Sequence, residues 1–226
     1  MKKSILCLFA VVMLAVSSVS ADDFLSWITG RDCIEGSGDL VTQERDLDEF
    51  TAIDLKGSTD VFVTVGGEQK VSITIDDNLV DLIETEVRGK TLKIYCEDSY
   101  SSRRGCRIEI TMPVLEEVRI SGSGDAEIYD LDGDYFEYSV SGSGDMRADG
   151  EVGEVNIRVS GSGDVDTRDL RAREATVKIS GSGDVKVYAS ETFYGRVSGS
   201  GDIDVYGSPE RMSRHVSGSG DITKRR

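Results

Sequence analysis

The sequence predicts an all-β chain wound as a parallel β-helix, a β-solenoid with rungs of about 20 residues, and three observations carry that prediction. Ser-Gly-Ser-Gly-Asp occurs six times, at residues 121–125, 141–145, 160–164, 180–184, 198–202 and 217–221, with starts 20, 19, 20, 18 and 19 residues apart. A fixed period of this size marks a repeat architecture, in which each copy buries its apolar face only against its neighbours. Polarity also alternates straight through each copy. Val155, Ile157, Val159, Gly161, Gly163, Val165 and Thr167 fall on one side; Asn156, Arg158, Ser160, Ser162, Asp164 and Asp166 fall on the other. Finally, polar segments rich in turn formers, at 147–153, 168–174 and 206–211, separate the copies and read as corners. Six antiparallel hairpins turning at Gly-Ser-Gly are the competing arrangement. A reversal at each copy accounts less well for a phase that never slips.

Taken from the N-terminus, Lys2 and Lys3 precede an apolar run and then Val19-Ser20-Ala21, the pattern of a signal peptide over residues 1–21. The run is too short for a retained span, and no later stretch reaches the ~20 apolar residues that a membrane helix needs. An exported protein is expected, periplasmic or at the cell surface, without stable membrane insertion. Residues 22–34 form a leader outside the repeat, in which Phe24, Leu25, Trp27 and Ile28 could cover the open end, touch another protein or stay mobile.

Residues 35–226 read as one β-helix domain. Its first half, 35–117, repeats less exactly: 35–39 and 56–60 look like degenerate copies of the motif, and alternating runs at 61–65, 71–75, 92–94 and 108–112 suggest longer hairpin-like strands capping the broad end. Residues 77–84 could form one short helix with Asp77 as N-cap. Counting both halves gives about ten rungs and, at ~4.8 Å per rung, a body on the order of 50 Å long. The second half, 118–226, holds the six repeats. Glycine at two consecutive inward positions means that an opposing backbone comes too close for a Cβ, at a narrow or sharply bent edge, unless the glycines only supply positive φ in a turn. Lys224-Arg225-Arg226 follows the last copy directly, and charge there discourages end-to-end stacking.

From Glu35 onward the chain resembles the auto-transporter adhesin head domain family, the head GIN domain of bacterial exported proteins. The likeness is carried by RDLDEFTAIDL at 45–55, VRGKTLKI at 87–94, IEITMPVLEEV at 108–118 and the six repeats through GDIDVYGSPE at 201–210. It covers about 190 residues. The resemblance implies a right-handed parallel β-helix, in keeping with the usual crossover hand, and an adhesin-like role without catalytic residues. The Cys96/Cys106 pair is a departure from the family pattern.

The outward row is the candidate site. Asp125, Asp145, Asp164, Asp184, Asp202 and Asp221 should form a ladder, alongside Ser123, Ser143, Ser162, Ser182, Ser200 and Ser219. Unit charges ~5 Å apart repel by about 0.8 kcal/mol in water, so something must offset the row. Hydrogen bonds from nearby backbone N–H groups or serine hydroxyls are the simpler answer. Calcium between rungs is the sharper one, although one carboxylate per rung is few for a tight site.

Net charge is −16, which argues against nucleic acid or anionic lipid as partners. Cys96 and Cys106 flank a polar loop and are expected to pair as a disulfide in an exporting compartment; Cys33 is then left over. Neither the cysteines nor the single histidine, His215, match a zinc pattern, and no metal site is assigned. Acids dominate and no nucleophile elbow occurs, so catalysis finds little support. Tyr129, Tyr135, Tyr138, Tyr188, Tyr194 and Tyr206 either pack against neighbouring rungs or stack on sugars. The sequence thus points to a non-catalytic module binding a glycan, an envelope component or a protein. The alternatives are a polysaccharide-processing enzyme and a purely structural envelope protein.

Overall fold

A computed structural model of the chain describes residues 33–225. The signal peptide, most of the leader and Arg226 lie outside the described residues. What is described is a parallel β-solenoid of about five turns with rungs of roughly 20 residues. The regular coil is therefore about half as long as the ten rungs expected, because the first half builds a capped end rather than more of the same turns.

The capped end contains β1 (Ile34–Glu35), β2 (Leu40–Arg45), β3 (Ala52–Gly57), β4 (Asp60–Val65), β5 (Lys70–Asp76), β6 (Glu84–Arg88), β7 (Thr91–Tyr95), β8 (Tyr100–Ser101) and β9 (Arg107–Met112). Chain order and stacking order part company here. The rung made by β3 and β4 is sandwiched, with β7 and β9 on one side and the following coil on the other. Three antiparallel pairings close the stack: β5 lies between β9 and β2, and β6 covers β7. The chain can double back because Gly66 and Gly67, both at positive φ, turn β4 into β5.

The helix expected at 77–84 is only a single 3-10 turn, Val80–Leu82, and no side chain caps it. Its Leu79, Val80 and Ile83 are buried instead, so their contribution is core packing. The 35–39 segment is likewise no rung. Its Gly36 faces the Asp76 carboxyl, and Ser37 bonds Asp77 and Asn78.

Asp76 holds this segment down, its Oδ1 accepting the Gly38 N–H at 2.6 Å. The Ser102 hydroxyl, assisted by that N–H and by Arg104, holds the Asp76 carboxyl below the usual carboxylate range despite the opposing effect of burial. A depressed acid contributes stability that is complete above its unfolded pKa of ~3.9 and is lost as pH falls through the lower folded value. Hydrogen-exchange protection at Gly38 should therefore drop below about pH 4, and Asp76→Asn should abolish that dependence. Protection that stays level down to about pH 2 would contradict it.

The regular coil follows: β10 (Glu117–Gly122), β11 (Ala126–Gly142), β12 (Met146–Gly161), β13 (Val165–Gly181), β14 (Val185–Ala189), β15 (Thr192–Val197), β16 (Ile203–Gly207), β17 (Arg211–Val216) and β18 (Ile222–Lys224). One wall stacks β3, β10, the second halves of β11, β12 and β13, then β15 and β17. The other stacks β4, the first halves of β11, β12 and β13, then β14, β16 and β18. All these pairings are parallel and hold one register along each wall, with shifts only at the corners, between Ile128 and Leu131 and between Arg147 and Asp149. The predicted phase is therefore the phase of the core: Val155, Ile157, Val159, Val165 and Thr167 are buried.

At the far end the pattern changes. Arg214 stands in register above Gly195, at the inward position that Ile157 and Val177 occupy in earlier rungs. Its guanidinium donates to the Ile222 carbonyl at 3.1 Å. A charge at that position closes the last described rung against further edge pairing.

Candidate binding face

The Ser-Gly-Ser-Gly-Asp segments form the edge where the two walls meet. A Cβ on Gly163 would stand 2.1 Å from the carbonyl oxygen of Gly144, and one on Gly183 would stand 2.0 Å from that of Gly163. The backbone that excludes a side chain is thus that of the rung beneath, not of the opposite wall as the sequence suggested. The first glycine of each copy is subject to the same approach and also has positive φ, +143° at Gly161.

This tight stacking places each aspartate over the last. The Asp145 N–H donates to Asp125 Oδ1 at 2.8 Å, and the same bond recurs at 2.8 Å from Asp164 to Asp145, from Asp184 to Asp164 and from Asp202 to Asp184, then at 2.7 Å from Asp221 to Asp202. The row starts one rung earlier than the six repeats, since the Asp125 N–H donates to Asp60 Oδ1 at 3.0 Å. The degenerate copy at 56–60 is therefore a working rung. From Asp60 to Asp202 one oxygen of each carboxylate is engaged along the stack, which offsets the repulsion between neighbours, and the aspartates of the six repeats remain exposed.

Ser123, Ser143, Ser162, Ser182, Ser200 and Ser219 are exposed beside them and donate their own N–H groups to glycine carbonyls of the rung below. Asp184→Ala should cost about 1–2 kcal/mol by orphaning the Asp202 N–H, while Asp184→Asn, which keeps the acceptor, should cost less than half of that. Urea unfolding of the two variants compares them, and equal losses would refute this role. Among the described residues no group of three or more histidine, cysteine or acidic side chains is arranged to hold a metal ion.

The two walls flanking the edge differ in charge. On one, the outward column Glu127, Arg147, Asp166, Lys186 and Asp204 alternates in sign and neutralises itself. Arg168 and Arg225 add ion pairs to Asp166 and Asp204 at 2.6 and 2.8 Å. On the other wall, Arg119, Ser139, Arg158, Lys178, Arg196 and His215 stand in one outward column, two residues before each motif. Beside it runs a second column: Glu117, Glu137, Asn156, Thr176, Tyr194 and Ser213. Glu117 pairs with Arg119 at 2.5 Å, and Glu137 pairs with Arg158. Past Glu137 the second column carries no acid. Nothing in the sequence reading singled out this column, although its constant offset from the motif was the available signal.

The tyrosines divide between packing and exposure. Tyr138 is fully buried, and its hydroxyl has no hydrogen-bond partner among the described residues. Tyr188 and Tyr206 stack in register under Arg171 and Arg168. Tyr129, Tyr135 and Tyr194 are exposed. His215 is exposed as well.

Cys96 and Cys106 line one cavity of about 520 Å³ together with Thr59 and Tyr100. The expected disulfide is absent from this structure, where both are free thiols. Cys96 donates its thiol to the Asp98 carbonyl within its own loop at 3.2 Å, while Cys106 belongs to the core. Burial pushes the Cys106 thiol up to about 11 and raises that of Cys96 too, which favours the thiol over the thiolate in both. Cys33 is an exposed free thiol.

The family described as "Putative auto-transporter adhesin, head GIN domain" matches residues 49–209. The chain belongs to this family. Among solved structures it is similar to one described as a putative adhesin from Bacteroides fragilis NCTC 9343, with 25% identity and a TM-score of 0.71 over 85% of this chain and 100% of that one. It is also similar to one described as a putative lipid binding protein from Parabacteroides distasonis ATCC 8503, with 26% identity and a TM-score of 0.57 over 86% of this chain and 100% of that one. A second structure from the same strain, described as a putative adhesin, shares 18% identity and a TM-score of 0.56 over 86% of this chain and 100% of that one, a likeness of fold alone. No curated protein matches the chain. The family and these neighbours agree with a binding module that performs no chemistry. Among the described residues no helix is long and apolar enough to cross a membrane.

Proposed function

We propose that this head GIN domain is an exported, non-catalytic binding module that presents a regular β-helix face to a glycan or another cell-envelope component. The observation that carries this reading is the register of the edge between the walls: successive rungs hold serine and aspartate in line, at the strand spacing of ~4.8 Å. A linear repeating ligand meets the same contacts rung after rung on such a surface, and weak contacts then add. Catalysis needs a positioned nucleophile or base. In both cysteines of the cavity burial favours the thiol over the thiolate, and the one histidine of the chain stands exposed on the last wall strand.

One neighbour is described as lipid binding, so lipid belongs in the test panel beside glycans and peptidoglycan fragments. Immobilised protein should retain at least one polymeric envelope component, and the retained ligand should come off unaltered. Products of cleavage or transfer would overturn the reading, as would failure to retain any member of the panel.

A further inference from the structure

Resting on that reading, we infer that the wall strands of β13 and β15 carry a binding site for an acidic polysaccharide, one bearing carboxylate or sulfate groups along its chain. Lys178 and Arg196 sit in register on adjacent rungs and are exposed. Neither has an ion-pair partner among the described residues, unlike Arg119 and Arg158 earlier in the same column. They share a groove of about 490 Å³ with Thr176, Tyr194, Ser180 and Ser198.

The change along the wall is what makes the site. Where Glu117 and Glu137 neutralise the first cations, the same column continues as Asn156, Thr176, Tyr194 and Ser213. An acid at 176 or 194 would have completed the pattern; a hydroxyl and an aromatic ring stand there instead. Two cations one rung apart fit anionic groups spaced by about one sugar, the guanidinium of Arg196 can take a carboxylate or sulfate in bidentate fashion, and the exposed Tyr194 ring offers an apolar face to a pyranose. Ser180 and Ser198 supply hydroxyls for the sugar's own.

The overall negative charge does not forbid this. Fixed charges act over a Debye length of only ~8 Å at physiological salt, so charges beyond that reach weigh little against the site's own side chains.

Isothermal titration with oligogalacturonate and with chondroitin sulfate oligomers, at two salt concentrations, tests the assignment. Dextran serves as the neutral control, and vesicles of phosphatidylglycerol and phosphatidylcholine form the lipid arm. The acidic oligomers should bind in a salt-dependent manner and dextran should not. Lys178→Ala/Arg196→Ala should weaken binding about tenfold or more. Arg147→Ala/Lys186→Ala, which removes the same charge from the other wall, should leave it within about twofold. Equal losses in the two variants would overturn the site, as would binding of vesicles but neither oligomer. If the wild type holds some other ligand and Lys178→Ala/Arg196→Ala makes no difference, the inference falls while the wider reading as a binding module stands.

Discussion

Gly163→Ala should destroy the fold of the coil, at a cost above about 4 kcal/mol, the range in which single substitutions name a specific steric mechanism. The added methyl would lie 2.1 Å from the Gly144 carbonyl oxygen, and neither partner is a side chain that can swing aside. Relief requires the two rungs to separate, and separation breaks the ladder on both sides of the edge, including the bond from the Asp164 N–H to Asp145. The effect is not a general intolerance of alanine at glycine: a Cβ on Gly133, at an outer corner, meets nothing within 4 Å. Gly133→Ala should therefore be nearly neutral or slightly stabilising. Circular dichroism and urea unfolding of the pair measure both. A folded Gly163→Ala protein with near-native stability would mean that the rungs are not stacked as closely as described.

Phe193→Ala should cost about 3–5 kcal/mol, the usual range for emptying a buried aromatic site. Phe193 is fully buried, and it is larger than its neighbour in the stack, Ala175. Two residues on, the relation reverses, since Gly195 follows Val177. The Phe193 ring fills the space above Gly195, 2.7 Å from where a Cβ would lie. The two positions exchange volume, which predicts a rescue. Phe193→Ala/Gly195→Val restores the Ala/Val pair of the preceding rung and should recover roughly half of the loss, because volume-conserving changes in a core are tolerated best. Gly195→Val alone, with the ring in place, should destabilise by overpacking. If Phe193→Ala costs less than about 1 kcal/mol, the ring is not the core element described.

How much of this was legible in the sequence follows from how local each signal is. The alternation through Val155–Thr167 depends only on neighbours two residues apart, and it placed the core, the edge and the outward aspartates correctly. The inward glycines were also read correctly as sites of close approach. Which backbone approached them was not legible, because that depends on the distance between rungs and not on any one rung. The interleaving of β3 and β4 between the β7/β9 layer and β10 was hidden for a similar reason. Hairpin-like strands reveal their own turns, at Gly66 and Gly67 for instance, but not where the returning chain inserts. At 77–84, a helical pattern of Leu79, Leu82 and Ile83 gave way to one short turn because those side chains gained more from burial at the capped end than a lone two-turn helix gains from its own hydrogen bonds.

The cationic column was partly legible. Arg119, Arg158, Lys178 and Arg196 hold one offset from the motif throughout, so periodicity alone would have found them. That Lys178 and Arg196 lack acids beside them required the register of the second column. The cysteines were the weakest case. A polar loop between Cys96 and Cys106 suggested closure, yet one thiol turns to its own loop and the other to the core.

The aspartate bond from Asp125 down to Asp60 joins residues 65 apart, whereas every later bond in the row joins residues 18–20 apart. The geometry is the same in both cases. A rung therefore does not register which stretch of chain lies below it; it needs only a glycine carbonyl and a carboxylate offered at the right height. At the edge, length is then a free parameter of this architecture, and a 19- or 20-residue unit can be copied or excised there without remaking the joint. The edge behaves as a measuring rod whose graduations are interchangeable, while the core of each unit, as at Phe193 and Gly195, must still match its neighbours.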